Sequence, residues 1–226
     1  PAQTPVESHP VDGVRCRFRT AGSTRLLPLD LEHVSYHSHS LGARLELRLH
    51  LTAEGSLNSV KLDTLRLHLS GDEHVSRNLY LFLTQHLQSI GVQALDADGQ
   101  PLGAEHCSLT LHSDHLTAAG FEAEQALLPY ADNTFNGYRH LQEYFAFAEK
   151  FLFVELKGLD PWQQRAGDSL KAARALSLQF ELRHPDCRQI SPGREHLRLH
   201  CAPIVNLFAH DATPIRLDGR QDRYLL

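Results

Sequence analysis

The stretch most informative about the fold is residues 135–156, Phe-Asn-Gly-Tyr-Arg-His-Leu-Gln-Glu-Tyr-Phe-Ala-Phe-Ala-Glu-Lys-Phe-Leu-Phe-Val-Glu-Leu. Aromatic side chains bury more area than other side chains in a core or an interface, and this stretch holds half of the chain's ten phenylalanines. Its first half repeats apolar residues at helical spacing, namely Tyr138, Leu141, Tyr144 and Phe145. From Phe151 to Val154 the run is continuous, which is typical of a strand covered on both faces. The pattern predicts a short helix that leads into a buried strand.

Alternation of apolar and polar residues predicts strands on both sides of this stretch. Such segments begin near Val14, Leu26, Ala43, Leu65, Val92, Ala104, Leu176 and Leu197. In the first of them, Val14, Cys16 and Phe18 are expected to face inward. A broad apolar stripe predicts a second helix from about Asp72 to Ile90, with Ser70 and Glu73 as a capping box and Gly91 as its stop. Residues 158–167, which include Trp162, are expected to form a loop.

These elements predict a β-rich α+β fold with mainly antiparallel, sandwich-like sheets and two main helices packed against them. A doubly wound parallel sheet would require a helix between most strands, and those helices are missing from the pattern. Residues 1–13 contain three prolines and are expected to form a flexible lead-in. Residues 14–209 are predicted to form the β-rich domain, with a possible division into two subdomains near 112–136, and residues 210–226 a polar tail.

The amino-acid composition argues against several classes of function. The net charge of −5 argues against a nucleic-acid binder. The sequence contains neither a run of about eighteen apolar residues, which would predict a membrane span, nor a signal peptide, which would predict secretion. The four cysteines lack a Cys-x-x-Cys pair, which argues against zinc and favours a reduced compartment. The chain has no methionine and begins at Pro1, so we expect an excised piece of a longer protein.

The sixteen histidines suggest one alternative, a β-rich metal-binding enzyme or ligand-binding domain. His37 and His39 would lie on one face of a strand, with His112 or His115 as a third ligand. The competing interpretation is a solvated strand face, and His196 and His200 are expected to point outward in that way. Ser113-Asp114-His115 contains the residue types of a catalytic triad, but adjacency in sequence does not give triad geometry. A carbohydrate-binding sandwich would need several exposed aromatic residues on a flat face, and Trp162 is the chain's only tryptophan. No catalytic residue and no cofactor are predicted.

Two blocks of the sequence are distinctive. The first comprises residues 126–130, 137–147 and 149–153, and the second comprises residues 201–208 and 214–218. Both blocks resemble the TssF family, also called VasA or ImpG, whose members are subunits of the type VI secretion baseplate. Residues 16–20 and 65–80 fit more loosely. Ala148 and Ala202 depart from the family pattern, at positions where proline and threonine are expected. The family's amino-terminal helical region and its carboxy-terminal part have no counterpart here, so the resemblance implies a middle domain.

This resemblance implies a structural role in an assembly and no catalytic activity. Such subunits form wedges with TssG, TssE and TssK around the VgrG spike, at the cytoplasmic face of the inner membrane. The platform starts assembly of the tube and the contractile sheath. Self-association of the subunit is a further expectation, whereas binding to nucleic acid and insertion into the membrane are not expected.

The helix within residues 135–156 and its approach are predicted to form an interaction surface, because tyrosine and arginine commonly anchor protein interfaces. The predicted contact residues are Leu128, Pro129, Tyr130, Asn136, Tyr138, Arg139, Glu143 and Tyr144. The strand half, from Phe151 to Leu156, is assigned to the core.

Overall fold

The computed structural model describes residues 1–131 and 135–207, and within these residues the chain forms twelve β-strands and three α-helices. The strands are β1 (Pro5–Glu7), β2 (Arg17–Thr20), β3 (Leu29–His39), β4 (Gly42–Leu51), β5 (Thr64–Leu69), β6 (Leu87–Leu95), β7 (Ser108–His112), β8 (Leu116–Ala119), β9 (Phe153–Lys157), β10 (Ala175–Leu182), β11 (Leu197–Arg198) and β12 (Ile204–Val205). The helices are α1 (Glu73–Gln85), α2 (Asn136–Ala146) and α3 (Leu159–Ala166). None of these helices is both long enough and apolar enough to cross a membrane.

The strands form three sheets in which every described pair is antiparallel. Their orders are β1-β2-β12, β3-β4-β10-β6-β7 and β11-β5-β9-β8. This arrangement confirms the predicted β-rich α+β class, although the described residues contain three α-helices instead of two.

The two larger sheets share one hydrophobic core. Leu45, Leu47 and Leu49 of β4 are fully buried, and the first two pair with Phe180 and Leu178 of β10. Leucines of β5 and Val154 of β9 belong to the same cluster. Each such leucine contributes about 1.5–3 kcal/mol through removal of its side chain from water. The alternation read from the sequence therefore does select the buried face.

Helix α1 is shorter than predicted. It ends at Gln85, and Leu87 to Ile90 belong to strand β6. A β-bulge explains the misleading period, because Leu87 pairs with Leu182 and Ser89 with Glu181, so that Gln88 is skipped. The extra residue keeps Leu87 and Ile90 on one buried face although they are three positions apart.

The start of α1 also differs from the prediction. Asp72 caps it by accepting a hydrogen bond from the Val75 N–H at 3.1 Å. The predicted capping residue, Ser70, donates instead to the Glu195 carbonyl oxygen at 3.0 Å. Asp72 does the capping because it is the residue directly before the first helical turn.

The segment expected to be a loop, residues 158–167, contains helix α3. Leu159, Trp162 and Ala166 are its buried residues, and their spacing is that of a helical face. Trp162 is 1% exposed and donates from Nε1 to the carbonyl oxygen of His106, so it offers no surface to a carbohydrate. Gly158 directly precedes the helix in a left-handed conformation. Because glycine is typical of loops, the sequence around the start of this helix predicts a loop.

The predicted flexible lead-in contains strand β1, which pairs with β2. Val14 and Cys16, which the alternation placed inward, are exposed because no element within residues 1–131 and 135–207 covers that end of the hairpin. The predicted domain boundaries at residues 14 and 209 and the division near 112–136 stay predictions. The polar tail at 210–226 lies outside the described residues.

Candidate interaction surface

Helix α2 lies with its charged side inward and its aromatic side outward. Arg139 and Glu143 are 4% and 2% exposed, whereas Tyr138 and Phe145 are 70% and 83% exposed. A helix on a protein surface normally buries its apolar stripe. The predicted helix is therefore confirmed, but its aromatic face does not enter the core of this chain.

A buried ion pair holds the inner side of α2. The Glu143 carboxylate contacts the Lys150 ammonium through Oε2, and its Oε1 accepts a hydrogen bond from the Leu127 N–H at 2.8 Å. Lys150 is completely buried, and its ammonium lies 5.0 Å from the centre of the Phe151 ring. Burial lowers the pKa of Lys150, while the contact with Glu143 acts in the opposite direction. The pair joins α2 to the 3₁₀ turn at Ala148–Phe151, which precedes β9.

Arg139 fixes the segment that approaches the helix. Its guanidinium donates to the carbonyl oxygens of Phe121 at 2.9 Å and Glu122 at 3.2 Å. Both carbonyls belong to the connection that follows β8. Arg139 and Glu143 therefore hold α2 and this connection in one orientation from the inside.

The result is a concentrated apolar surface. Among the described residues, eight of the fourteen exposed large hydrophobic side chains lie between residues 121 and 147. They are Phe121, Leu128, Phe135, Tyr138, Leu141, Tyr144, Phe145 and Phe147. Contiguous apolar patches of this kind mark interaction sites, whereas scattered single residues do not. We call Tyr138, Leu141, Tyr144 and Phe145 the α2 surface.

A groove separates the α2 surface from helix α1. Its volume is about 580 Å³. Side chains from both helices and from the segments beside them line it, including Arg77, Tyr80, Phe121, Leu141, Tyr144 and Phe151. Aromatic and aliphatic groups in such a groove, with Arg77 and Glu149 among its polar lining residues, suit an amphipathic helix or a large apolar side chain.

The eight residues predicted for this surface fall into three places. Leu128, Pro129, Tyr130, Asn136 and Arg139 line a shallow cavity of about 380 Å³ before and beneath the helix. Burial raises the pKa of the Tyr130 phenol there, and the nearby Glu143 carboxylate acts in the same direction. Tyr138 and Tyr144 lie on the outer face, and Glu143 is buried. Their role in binding stays a prediction.

The sequence-based set omitted Phe135, Leu141, Phe145 and Phe147, which are exposed, and Lys150, which is buried. One signal was available, since Arg139 and Glu143 are four residues apart and lie opposite the aromatic stripe. That spacing shows that α2 has a charged side and an apolar side. It does not show which side faces the core.

The histidine metal site predicted as the alternative has the wrong geometry. His37 and His39 are exposed on β3, and His112 ends β7 at the opposite edge of the same sheet. Four strand spacings of about 4.8 Å separate these edges by about 19 Å. His115 belongs to another part of the fold and contacts the carbonyl oxygen of Lys157 at 3.1 Å. Within residues 1–131 and 135–207, no three or more His, Cys, Asp or Glu side chains are placed to hold a metal ion.

The second histidine pair is also unlike the prediction. His196 is buried, and its Nδ1 accepts a hydrogen bond from the Gly193 N–H at 3.0 Å. His200 is half-buried and accepts from the Leu27 N–H at 3.2 Å. Strand β11 ends at Arg198, so the alternation that predicted two outward histidines does not continue to His200. Both imidazoles satisfy backbone groups.

Comparison with known proteins identifies the family. The whole chain, residues 1–226, matches the family described as "Type VI secretion system, TssF". The chain belongs to the TssF family. The resemblance read from residues 126–153 and 201–218 is thereby confirmed.

Similar proteins agree with this TssF-family assignment. The chain is 32% identical over 229 residues to the type VI secretion system component TssF1 of Pseudomonas aeruginosa. It is also similar, at 30% identity and a TM-score of 0.76, to a chain in the cryo-electron microscopy structure of the TssK-TssF-TssG baseplate subcomplex. These matches cover 95% and 100% of this chain, but only 35% of TssF1 and 41% of the chain in the subcomplex. The sequence thus corresponds to about a third of TssF1.

The family description names a type VI secretion system component, and the similar chain belongs to a baseplate subcomplex. The geometry is consistent with such a component. The most unusual feature of the described residues is an uncovered apolar helix face, which is a feature of binding surfaces.

Proposed function

We propose that this TssF-family chain is an assembly module of the type VI secretion baseplate and that the α2 surface binds another baseplate protein. The orientation of α2 carries the proposal, because the helix buries Arg139 and Glu143 and leaves Tyr138 and Phe145 in water. Aromatic residues on a rigid element can bind with little loss of side-chain entropy. A partner would remove from water the apolar area that the fold leaves uncovered.

The buried ion pair supports this role by fixing the helix before the partner arrives. Lys150 and Glu143 join the inner side of α2 to the chain beside β9, so the aromatic side chains project from a rigid element. Rigid elements lower the entropic cost of binding. The groove beside α1 adds a concave region next to the exposed rings. Together these features suit a partner helix with aliphatic or aromatic side chains.

We propose TssG and TssK as the partners. The support is the TssK-TssF-TssG subcomplex, which contains a chain that is similar to all of the present sequence. Family resemblance extends the proposal to wedges that also contain TssE and that dock on the VgrG spike. In that proposal the wedge starts tube and sheath assembly at the cytoplasmic face of the inner membrane. Self-association of the subunit is part of the same proposal.

The test uses the full-length protein co-expressed with TssG and TssK. We expect the pair Tyr138→Ser and Phe145→Ser to weaken subcomplex formation by about thirtyfold or more, since interface hot spots contribute about 2 kcal/mol or more each. Affinity is measured by biolayer interferometry and assembly by size-exclusion chromatography.

The matched control is the pair Leu26→Ser and Leu41→Ser, which removes exposed apolar side chains elsewhere. The control should bind as the wild type does. Circular dichroism melting checks that all variants fold. Wild-type affinity in the α2 variant would contradict the proposal.

A further inference from the structure

A β-hairpin near the start of the chain projects as an arm, which we define as residues 5–20. Strands β1 and β2 form its base. The ladder continues outward, because the Ser8 N–H donates to the Cys16 carbonyl oxygen at 2.9 Å and Val11 and Val14 exchange two hydrogen bonds of 2.9 Å. Asp12 and Gly13 both have positive φ, of 50° and 79°. Two such residues form the tight turn that matches the twist of a hairpin, so the arm has a defined shape.

The outer half of the arm has no cover on either face. Residues 9–17 are all exposed, and Val11 and Val14 at the tip are 65% and 63% exposed. A two-stranded hairpin without a packed face is marginally stable in water. The arm therefore retains apolar tip residues that nothing in the described chain covers.

One face of the arm carries three arginines. Arg17 and Arg19 alternate with Phe18 in β2 and point to the same side, and Arg15 continues this row two residues earlier. The neighbouring carboxylate is that of Glu7, 3.8 Å from Arg15. The Arg19 Nε is shielded from water and has no hydrogen-bond partner in the part of the chain that the structure describes. This face therefore has unused hydrogen-bond donors.

The same face borders a cavity of about 460 Å³. Its lining combines the cationic groups of Arg17 and Arg19 and the carboxylate of Glu7 with apolar groups, including Phe18 and Leu207. Arginine binds carboxylates through two parallel hydrogen bonds, and its stem packs on apolar groups. The cavity therefore fits an acidic side chain flanked by an aliphatic residue.

We propose that the arm is a second docking element, which binds a carboxylate-bearing segment of a partner baseplate protein along the arginine face. The positive row lies on a chain whose net charge is −5, so charge complementarity favours an acidic partner at the arm and not at the rest of the surface. Pro5 and Pro10 lie on the outer strand of the arm, where a missing N–H disfavours pairing with a further strand. Side-chain contacts on the arginine face, and not sheet extension, form the interface.

The variant Cys16→Ser with Glu7→Cys provides a readout of docking on the arginine face. Position 7 pairs with Arg17 across the arm and lies near Arg15, whereas Cys16 alternates with the arginines and faces the other side. The inference rests on the proposed assembly with TssG and TssK, so the experiment uses the full-length protein with and without these two partners. Maleimide labelling at position 7, resolved by mass spectrometry, should slow at least fivefold in the complex.

Charge variants test the chemistry. The pair Arg15→Glu and Arg17→Glu should weaken binding about tenfold at 50 mM salt and by less at 500 mM salt, because opposite charges would become like charges and salt screens their repulsion. The pair Arg15→Lys and Arg17→Lys keeps the charge but loses the planar fork, so an intermediate loss is expected. The control pair Arg165→Glu and Arg174→Glu changes exposed arginines outside the arm and should bind as wild type.

The outcomes separate the two proposals. If the wild-type subcomplex does not form, the proposed function fails. If it forms while the thiol at position 7 stays as reactive as in the free protein, or if the glutamate variant binds as tightly as wild type, the docking role of the arm is overturned. Binding of a short DNA duplex that depends on Arg15 and Arg17 would also overturn it, because the ligand would then be a phosphate backbone.

Discussion

Glu143 and Lys150 form an ion pair that is almost completely removed from water. Such a pair stabilises a protein weakly in total, because the loss of hydration offsets much of the attraction between the charges. Loss of one partner is far more damaging, since the other charge stays buried without compensation. The pair is therefore best understood as a device that fixes the orientation of α2.

This reasoning predicts different effects for single and double substitutions. Glu143→Ala should lower the free energy of unfolding by about 3–5 kcal/mol, because it leaves the Lys150 ammonium unpaired and removes the acceptor of the Leu127 N–H. The double variant Glu143→Leu with Lys150→Met should lose clearly less, since no buried charge remains. Urea denaturation measures both. Equal losses in the single and double variants would show that the charges are not the reason for the effect.

His68 is a second residue whose surroundings disfavour one protonation state. Its ring lies 4.4 Å from the ring of Phe153 and near Arg66 and Arg198. Burial lowers the pKa of His68, the two arginines add to that effect, and the carbonyl oxygen and carboxylate of Glu149 oppose it. Because the folded-state pKa lies below the unfolded value of about 6.5, the unfolded chain takes up this proton first on acidification.

Stability should therefore decrease as the pH falls below about 6.5, and His68 should account for part of the decrease. We expect His68→Gln to give a shallower loss of unfolding free energy than wild type between pH 7.5 and 5. His37→Gln serves as the control, because His37 is an exposed histidine on β3. Parallel pH profiles for wild type and the His68 variant would contradict this assignment.

At the scale of the elements, the leucine-rich strands could be predicted from sequence alone. Alternation in β4, β5 and β10 reports directly on burial, since successive side chains in a strand point to opposite faces. Helix α1 was predicted too long because a bulge at Gln88 gives β6 the spacing of a helix. The bulge arises from pairing with Glu181 and Leu182 of β10, which are more than ninety residues away in sequence. No local pattern contains that information.

The orientation of α2 could not be predicted for a related reason. The sequence of an amphipathic helix shows that it has an apolar face and a polar face, and the apolar face is usually the buried one. Here the partner of Glu143 is Lys150 in the following 3₁₀ turn, and the partners of Arg139 are carbonyl oxygens of Phe121 and Glu122. These contacts exist only in the folded chain, so the sequence placed an interaction surface on this helix but only the structure shows which side of the helix is exposed.

At the scale of the whole molecule, a well-packed core carries two features that no described part of the chain covers. The two larger sheets share one hydrophobic cluster, whereas the α2 surface and the arm expose aromatic and aliphatic side chains. The two surfaces also differ in chemistry, since one is apolar and the other combines arginines with a valine tip. A single small ligand could not satisfy both. Assembly with large protein partners could.

This contrast predicts a distinct pattern of hydrogen–deuterium exchange in the full-length protein. When TssG and TssK bind, amides in residues 5–20 and 136–147 should exchange more slowly, because docking suppresses local opening of these elements. Amides in residues 43–51 and 175–182 should not change, since β4 and β10 already lie at the centre of a sheet. If exchange slowed in the core strands but not in the arm or in α2, binding would stabilise the fold in general. Both proposed docking surfaces would then be wrong.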